Sequence, residues 1–371
     1  MSINNMKNID EKYLKIKLNI ISMNSNFEIG TAISLFKLII HKITSERNKN
    51  ASFRIRHYND AIKILEKWDG THCEDISQME DHFKSNGKKN PAKIISKLTE
   101  LLETGKMAEA EEALQDPKVR AVINLCKVYG IGPAKANELW EKHEIDTVDK
   151  LKAKFKIQDD IIHGKQAIGL KYFDDLQERI PRNEVDAYNI KLKTICNSIS
   201  PSIIMSINGS YRRGLATSGD IDLMITSKTE DPSKLRKLLI KELTKQGIIK
   251  ATMASGKKKF MGVVKLESNG FHKARHLDII DTSPLDFPFA VLYFTGSGGF
   301  NSKMRAEALK LGYSMNEYCL SDKNTKIRID SSIILDKIGK EDFESEEDIF
   351  KFLDMKYVKP ENRNIMTLSK Q

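Results

Sequence analysis

Apolar residues in the first third of the chain recur at helical spacing. Ile29, Ile33, Phe36, Ile40 and Ile43 fall three or four positions apart, as one face of an amphipathic helix requires. A polar break, Ser45 to Ser52, separates them from a second stripe of Tyr58, Ile62, Leu65 and Trp68. A long polar stretch to about Asn90 reads as loop. Ile94, Leu98, Leu101 and Leu102 form a third stripe, which ends at Gly105, a helix stop. Three or four short helices of this kind predict a small bundle. From Pro117 to about Lys156 the pattern is helix, glycine turn, helix. Beyond about Pro201 the period changes. Short β-rich runs, Ile203 to Ile207, Ile221 to Ile225, Met261 to Leu266 and His276 to Ile280, are separated by helical segments such as Pro232 to Gln246. The mixture predicts α+β architecture.

With 371 residues the chain can bury the cores of two or more modules. Charged residues make up 30% and the net charge is +10, which favours a polyanionic partner, nucleic acid before an acidic membrane. Abundant Lys, Ile and Asn also fit a compositionally biased genome, so charge alone does not decide. Cys73, Cys126, Cys196 and Cys319 are far apart and match no zinc spacing. Reduced thiols in an intracellular protein are expected. Lys37 interrupts the most apolar stretch, Ile33 to Ile40, so no membrane span is predicted. Residues 1–28 mix lysines and acids among apolar positions and read as a loosely ordered tail, not a secretory signal.

The candidate chemistry begins at Gly209-Ser210-Tyr211-Arg212-Arg213-Gly214, followed by Gly219-Asp220-Ile221-Asp222-Leu223-Met224-Ile225. Residues two apart on a strand point to one face, so Asp220 and Asp222 project together while Ile221 and Leu223 face a core. Paired carboxylates repel, and a divalent cation relieves the repulsion. Asp278, within the apolar run His276-Leu277-Asp278-Ile279-Ile280, supplies a third. Three carboxylates can hold two Mg²⁺, with Mn²⁺ as a substitute, to activate a sugar hydroxyl and stabilise a pyrophosphate leaving group. Gly209-Ser210 makes a turn able to cradle a triphosphate, and Arg213 adds charge there. A lone Asp-x-Asp is a weak signal; the upstream Gly-Ser turn and the later strand Asp make this one specific.

This pattern resembles the nucleotidyltransferase superfamily. Tyr293-Phe294-Thr295-Gly296-Ser297-Gly298-Gly299-Phe300-Asn301-Ser302-Lys303-Met304-Arg305 narrows it to family X DNA polymerases of the DNA polymerase β type. Gly169 to Phe173, Arg179 to Arg182, Lys259 to Val263 and Asp348 to Pro360 extend the resemblance, which covers about Ile29 to Asn364. It implies that Arg179, Ser210, Arg213, Ser218 and Gly219 hold the incoming triphosphate. Tyr293 and Phe294 would lie at the sugar and crowd a 2′-hydroxyl, and Gly296 would contact the dNTP. Asn301 and Arg305, four apart on a helix, would meet the nascent pair and the template, and Lys259 would contact DNA. Gly130-Ile131-Gly132-Pro133 resembles a helix–hairpin–helix turn. Its amides would meet DNA phosphates, and the carbonyls of Cys126, Val128 and Ile131 would hold a monovalent cation, Na⁺ or K⁺.

The N-terminal third resembles the family's 8-kDa deoxyribose-phosphate lyase domain. Lys97 aligns with the lysine that forms a Schiff base at an abasic sugar. Arg54, His57 and Lys93 would bind a 5′-phosphate beside Tyr58. The chain departs from the family in four places. Asn86-Gly87-Lys88-Lys89-Asn90 replaces the usual first hairpin, His276 stands where Arg is common, and Gly298 and Ser302 replace longer side chains. The expected organisation is a tail (1–28), lyase domain (29–115), helix–hairpin–helix subdomain (116–180), palm (181–282) and nucleotide-binding subdomain (283–371). The expected function is a monomeric gap-filling polymerase of base excision repair with dRP lyase activity, located in a nucleus, or in a virion or cytoplasm if viral. It would act on gapped or nicked DNA with a 5′-phosphate and on dNTPs, with a DNA ligase as a partner and no membrane. A template-independent terminal transferase and a non-catalytic gap-binding module are the alternatives. No BRCT-like stretch is read ahead of the lyase region, which weighs against an end-joining member.

Overall fold

The apolar stripes of the N-terminal third become the helices Ile29–Glu46, Ala51–Leu65 and Ala92–Thr104. A computed structural model describes residues 26–46, 50–68, 72–88, 90–267 and 270–364 of the chain. The expected tail therefore lies outside the described residues up to position 25. Its last two residues, Phe27–Glu28, form strand β1, which pairs antiparallel with β2, His72–Cys73.

The stretch expected as loop up to Asn90 holds a further helix, Ile76–Ser85. Asp75 caps it by accepting from the Ser77 N–H, and only Met79 and Phe83 are buried along it. Ile76, partly buried, packs on the same core, so the helix docks by a short stripe at helical spacing set among polar residues. Gly105, at φ +70°, ends Ala92–Thr104 in the left-handed conformation, and Ala108–Gln115 follows. Phe36, Leu38, Ile39, Ile43, Leu65, Phe83, Ile94 and Leu98 form the bundle core.

Helix Pro117–Leu125 serves two cores. Val119 and Ile123 join the bundle core, while Val122 and Leu125 pack with Val128, Ile131, Leu139 and Leu151 of the turn-and-helix region that follows. All of this lies within one compact unit, Met1–Phe173; the second unit is Asp174–Gln371.

The second unit is built on a five-stranded sheet, order β4-β6-β9-β8-β7. Its strands are β4 (Ile204–Ile207), β6 (Ile221–Thr226), β7 (Ile249–Ser255), β8 (Lys259–Val264) and β9 (Arg275–Asp281). Only β6 and β9 run parallel; the other neighbours are antiparallel. Two short strands stand apart from this sheet, β3 (Ile180–Pro181) and β5 (Thr217–Ser218), which pair with each other. Helices Arg182–Ile199 and Pro232–Lys245 cover one face of the sheet, where Val185, Leu192, Leu239, Leu223, Ile225, Leu277 and Ile279 are buried together. Arg275 and Glu184 form an ion pair at 2.6 Å inside this layer, each 4% exposed.

A separate core holds the C-terminal part of the unit. It joins Phe289, Leu292, Phe300, Met304, Ile334, Phe350 and Phe352. It gathers helices Phe287–Thr295, Gly298–Lys310, Ser331–Ile338 and Glu346–Phe352 around the hairpin β10 (Tyr313–Met315) and β11 (Leu320–Asp322). The fold is α+β. No helix among the described residues is long and apolar enough to cross a membrane.

Candidate active site

Strands β6 and β9 are in register with Asp222 opposite Asp278. Residues opposed across neighbouring strands share a face. The two carboxylates therefore stand side by side, and the intervening Leu223 and Ile279 point to the fully buried side. Asp220 lies just before β6, and its charge reaches Asp222. Burial pushes the Asp222 carboxyl well above the usual carboxylate range. Asp220 and Asp278 push it further, while Lys259 and Arg213 pull it back. An acidic group this costly to ionise calls for a cation.

Lys259 of β8 is the cation that the protein itself supplies. Its Nζ lies 2.5 Å from Asp278 Oδ2. Met261 opposes Asp278 in the β8–β9 register, and Lys259, two residues earlier, shares that face. The other oxygen, Asp278 Oδ1, accepts no hydrogen bond and lies 3.5 Å from His276 Nδ1. Among the described residues no three His, Cys, Asp or Glu side chains close into a finished metal shell. The donor set nonetheless fits hard divalent ions. It consists of carboxylate oxygens, one of them without a hydrogen bond, and it adjoins a cradle at Gly209 where a Cβ would meet Asp222 Oδ2 at 2.6 Å.

Gly209 adopts φ +62° and opens the short helix Gly209–Arg212, with Ser210 as its second residue. The Asn208 N–H donates to the Asp222 carbonyl at 2.9 Å, which ties this turn to the carboxylate strand. Ser218 is buried on β5, opposite Ile180, and Gly219 follows it. Arg179 donates to the Thr217 hydroxyl and carbonyl, both at 2.6 Å. Arg213 donates to the Thr295 carbonyl at 2.6 Å and to Asn364 Oδ1 at 2.7 Å. Burial lowers its proton affinity and the Asp222 charge raises it. Gly296 lies against Arg213, since a Cβ there would stand 3.4 Å from Arg213 Nη1.

Tyr293 and Phe294 pack edge to face, with ring centres 5.2 Å apart, at the end of Phe287–Thr295. Asn301 Nδ2 donates to the Tyr293 carbonyl at 2.7 Å, and the Arg305 guanidinium lies 5.2 Å from the Tyr293 ring centre. The helical spacing of Asn301 and Arg305 thus brings both to one tyrosine.

Sequence reasoning missed the cluster that braces this region. Glu346 receives Arg212 at 2.9 and 2.8 Å and Arg363 at 2.7 and 3.2 Å. Arg363 is fully buried against Phe300, Phe350 and Tyr357. Arg212 also donates to the Thr295 hydroxyl at 2.8 Å. The doubled arginine of the Gly-Ser motif was the available signal. Arg213 faces Asp222, and Arg212 faces the core beyond it.

In the first unit, Arg54, His57, Tyr58, Lys93 and Lys97 line one pocket of about 650 Å³. Buried His57 Nε2 has no hydrogen-bond partner. Burial lowers its pKa, and Lys88 and Lys93 lower it further. Lys88 belongs to the segment that departs from the family hairpin; Lys89 lies outside the described residues. The pocket also contains Glu109, which the sequence reading did not single out. It accepts Arg54 at 3.0 Å and pairs with Lys97 at 2.5 Å.

Cys126, Val128, Gly130, Ile131 and Gly132 share the turn between Pro117–Leu125 and Pro133–His143, and the Ile131 N–H donates to the Val128 carbonyl at 3.0 Å. Gly130 has φ +86°, and a Cβ there would stand 2.8 Å from Lys165 Cγ, so the turn excludes side chains at this point.

Paired strand aspartates beside a glycine–serine turn define a nucleotidyltransferase palm, and comparison with known proteins makes this specific. The profile for the DNA polymerase beta palm matches residues 179–283 and that for the DNA polymerase beta thumb matches 290–364. The fingers domain of DNA polymerase lambda matches 124–177. DNA polymerase lambda of Arabidopsis thaliana is 29% identical over 326 residues, covering 83% of this chain and 57% of its own. That of Rattus norvegicus is 28% identical, covering 73% and 47%. The chain thus spans about half the length of these curated relatives. The crystal structure of Leishmania infantum polymerase beta, a ternary P/T complex, is 32% identical with a TM-score of 0.59, covering 67% of this chain and 99% of that one. The chain belongs to the family X DNA polymerases of the polymerase β type, whose members use divalent metal ions.

Proposed function

We propose that the protein is a template-directed DNA polymerase that fills short gaps in base excision repair and also removes the 5′-deoxyribose phosphate. The carrying observation is the in-register pair Asp222 and Asp278, with Asp220 acting on the same buried carboxyl. Asp220, Asp222 and Asp278 would hold two Mg²⁺, or Mn²⁺ in their place. Bound there, the ions supply Lewis acidity to the primer 3′-hydroxyl and to the departing pyrophosphate.

The remaining side chains bind and orient. Arg179, Ser210, Arg213, Ser218 and Gly219 receive the triphosphate of a dNTP with positive charge and amide donors. Tyr293 and Phe294 flank the deoxyribose, where their bulk disfavours a 2′-hydroxyl, and Gly296 contacts the dNTP. Asn301 and Arg305 read the minor-groove side of the new pair, and Lys259 steadies the DNA. In the first unit, the Gly130 and Gly132 amides meet backbone phosphates without reading sequence. The carbonyls of Cys126, Val128 and Ile131 hold a monovalent cation. Arg54, His57 and Lys93 take a 5′-phosphate beside Tyr58, and Lys97 forms the imine with the abasic sugar. The protein acts as a monomer on nuclear or viral DNA and leaves a nick for a DNA ligase.

Primer extension across a one-nucleotide gap with Mg²⁺ tests the polymerase reading. Template-directed insertion that stops when the gap is filled is expected, and no incorporation would refute it. A relative named DNA nucleotidylexotransferase in Gallus gallus, 26% identical over 297 residues, favours one competing reading, template-independent addition. Extension of an unpaired primer as fast as the gapped one would select it instead.

A further inference from the structure

The pocket around Lys97 contains a carboxylate to which the lyase reading assigns no task. Helix Ala92–Thr104 carries Lys97, the left-handed Gly105 turns the chain, and Ala108–Gln115 brings Glu109 back in its first turn. Glu109 Oε2 lies 2.5 Å from Lys97 Nζ and accepts the Tyr58 hydroxyl at 3.2 Å. Its Oε1 accepts Arg54 Nη2 at 3.0 Å. Burial pushes the carboxyl up, but Lys97, then Tyr58 and Arg54 more than offset that, so it is ionised at neutral pH. An exposed ion pair between helices would call for no further account. This one is about 20% exposed on each side, faces the pocket, and has both oxygens oriented by fixed donors.

We propose that Glu109 is the general base of the lyase reaction and takes the C2′ proton of the abasic sugar. This rests on the lyase reading. Lys97, having lost a proton to solvent, attacks C1′ of the ring-opened aldehyde, and water leaves to give the iminium. C2′ is then two bonds from Nζ, within reach of the carboxylate that already touches Nζ. A base must be within hydrogen-bond reach of the proton it removes, and Glu109 meets that condition without any rearrangement of the helices. The carboxylate takes the C2′ proton, and the C2′–H electron pair becomes the C2′–C3′ double bond. The C3′–O bond breaks, and its pair leaves with the 5′-phosphate of the downstream strand. Water hydrolyses the conjugated imine, which frees Lys97, and Glu109 returns its proton to solvent.

The test uses the full chain on incised abasic DNA bearing a 5′-deoxyribose phosphate. Borohydride trapping reads imine formation, and single-turnover release of 5′-phosphorylated DNA reads elimination. Glu109→Gln keeps the shape and an acceptor for Tyr58. Its trapped adduct is expected to reach at least the wild-type amount while release falls about a hundredfold, the low end of what a positioned base contributes. Glu109→Asp should recover part of the release. Wild-type release by Glu109→Gln overturns the proposal. So does joint loss of trapping and release in both variants, because Glu109 would then merely hold Lys97 in place. Absence of any adduct with the wild type overturns the lyase reading itself, a result distinguishable from either.

Discussion

Gly209→Ala separates backbone strain from damage to the carboxylate site. Gly209 has φ +62°, where a side chain costs about 1–2 kcal/mol. Over a unit of this size that predicts a melting temperature lower by roughly 2–8 °C. The added Cβ would also meet Asp222 Oδ2 at 2.6 Å, about 0.8 Å inside an ordinary contact. The carboxylate must therefore move, and a misplacement approaching 1 Å at a reacting centre costs on the order of a hundredfold in rate. Gly247→Ala is the matched control, with φ +66° and nothing within 4 Å of its Cβ. Both variants should lose similar stability by thermal melting. Only Gly209→Ala should lose about a hundredfold in single-turnover gap filling, and its DNA affinity should hold. If the two variants retain equal insertion rates, the Gly209 cradle does not position Asp222 and the reasoning fails.

Asp278→Asn keeps the side chain's size but removes a charge, so insertion should fall by orders of magnitude with DNA binding intact; near-normal extension would contradict the metal assignment. Glu346→Gln leaves Arg363 buried without its counter-charge and should cost about 3–5 kcal/mol in denaturant unfolding. Burial raises the Glu346 carboxyl, but Arg363 and Arg212 bring it below the ordinary value of 4.5. Its stabilisation is therefore present above that pH and lost as the pH falls toward the lowered value; a variant whose acid unfolding matches the wild type would argue otherwise. Gap binding should weaken steeply with salt and favour a 5′-phosphate, and Lys93→Ala should shrink that preference, measured by fluorescence anisotropy. Ser302→Lys should raise the ratio of correct to mismatched insertion, because a long aliphatic stem can cover the template base; an unchanged ratio in kinetic assays would locate fidelity elsewhere.

The α+β class, the N-terminal helices and the carboxylate strands were legible because each rests on a local period. Asp222 and Asp278 lie on runs whose apolar alternation reveals both strand and face. Helix Ile76–Ser85 was missed although Ile76, Met79 and Phe83 fall at helical spacing, because the polar residues that make up the rest of the helix read as loop. Strand β7 escaped because it is an edge strand with Met253 as its one buried residue and register shifts against β8.

Sequence alone determined the candidates for the chemistry: three aspartates and a Gly-Ser turn through residue type and short spacing, and the Tyr-Phe-Thr-Gly segment through its resemblance to the family. Only the tertiary structure decided which charges meet. Lys259 and Asp278 lie on different strands, Arg212 meets Glu346 from 134 positions away, and Glu109 reaches Lys97 because Gly105 reverses the chain. Coulomb interactions depend on distance through space and on burial, and neither quantity is set by separation along the chain.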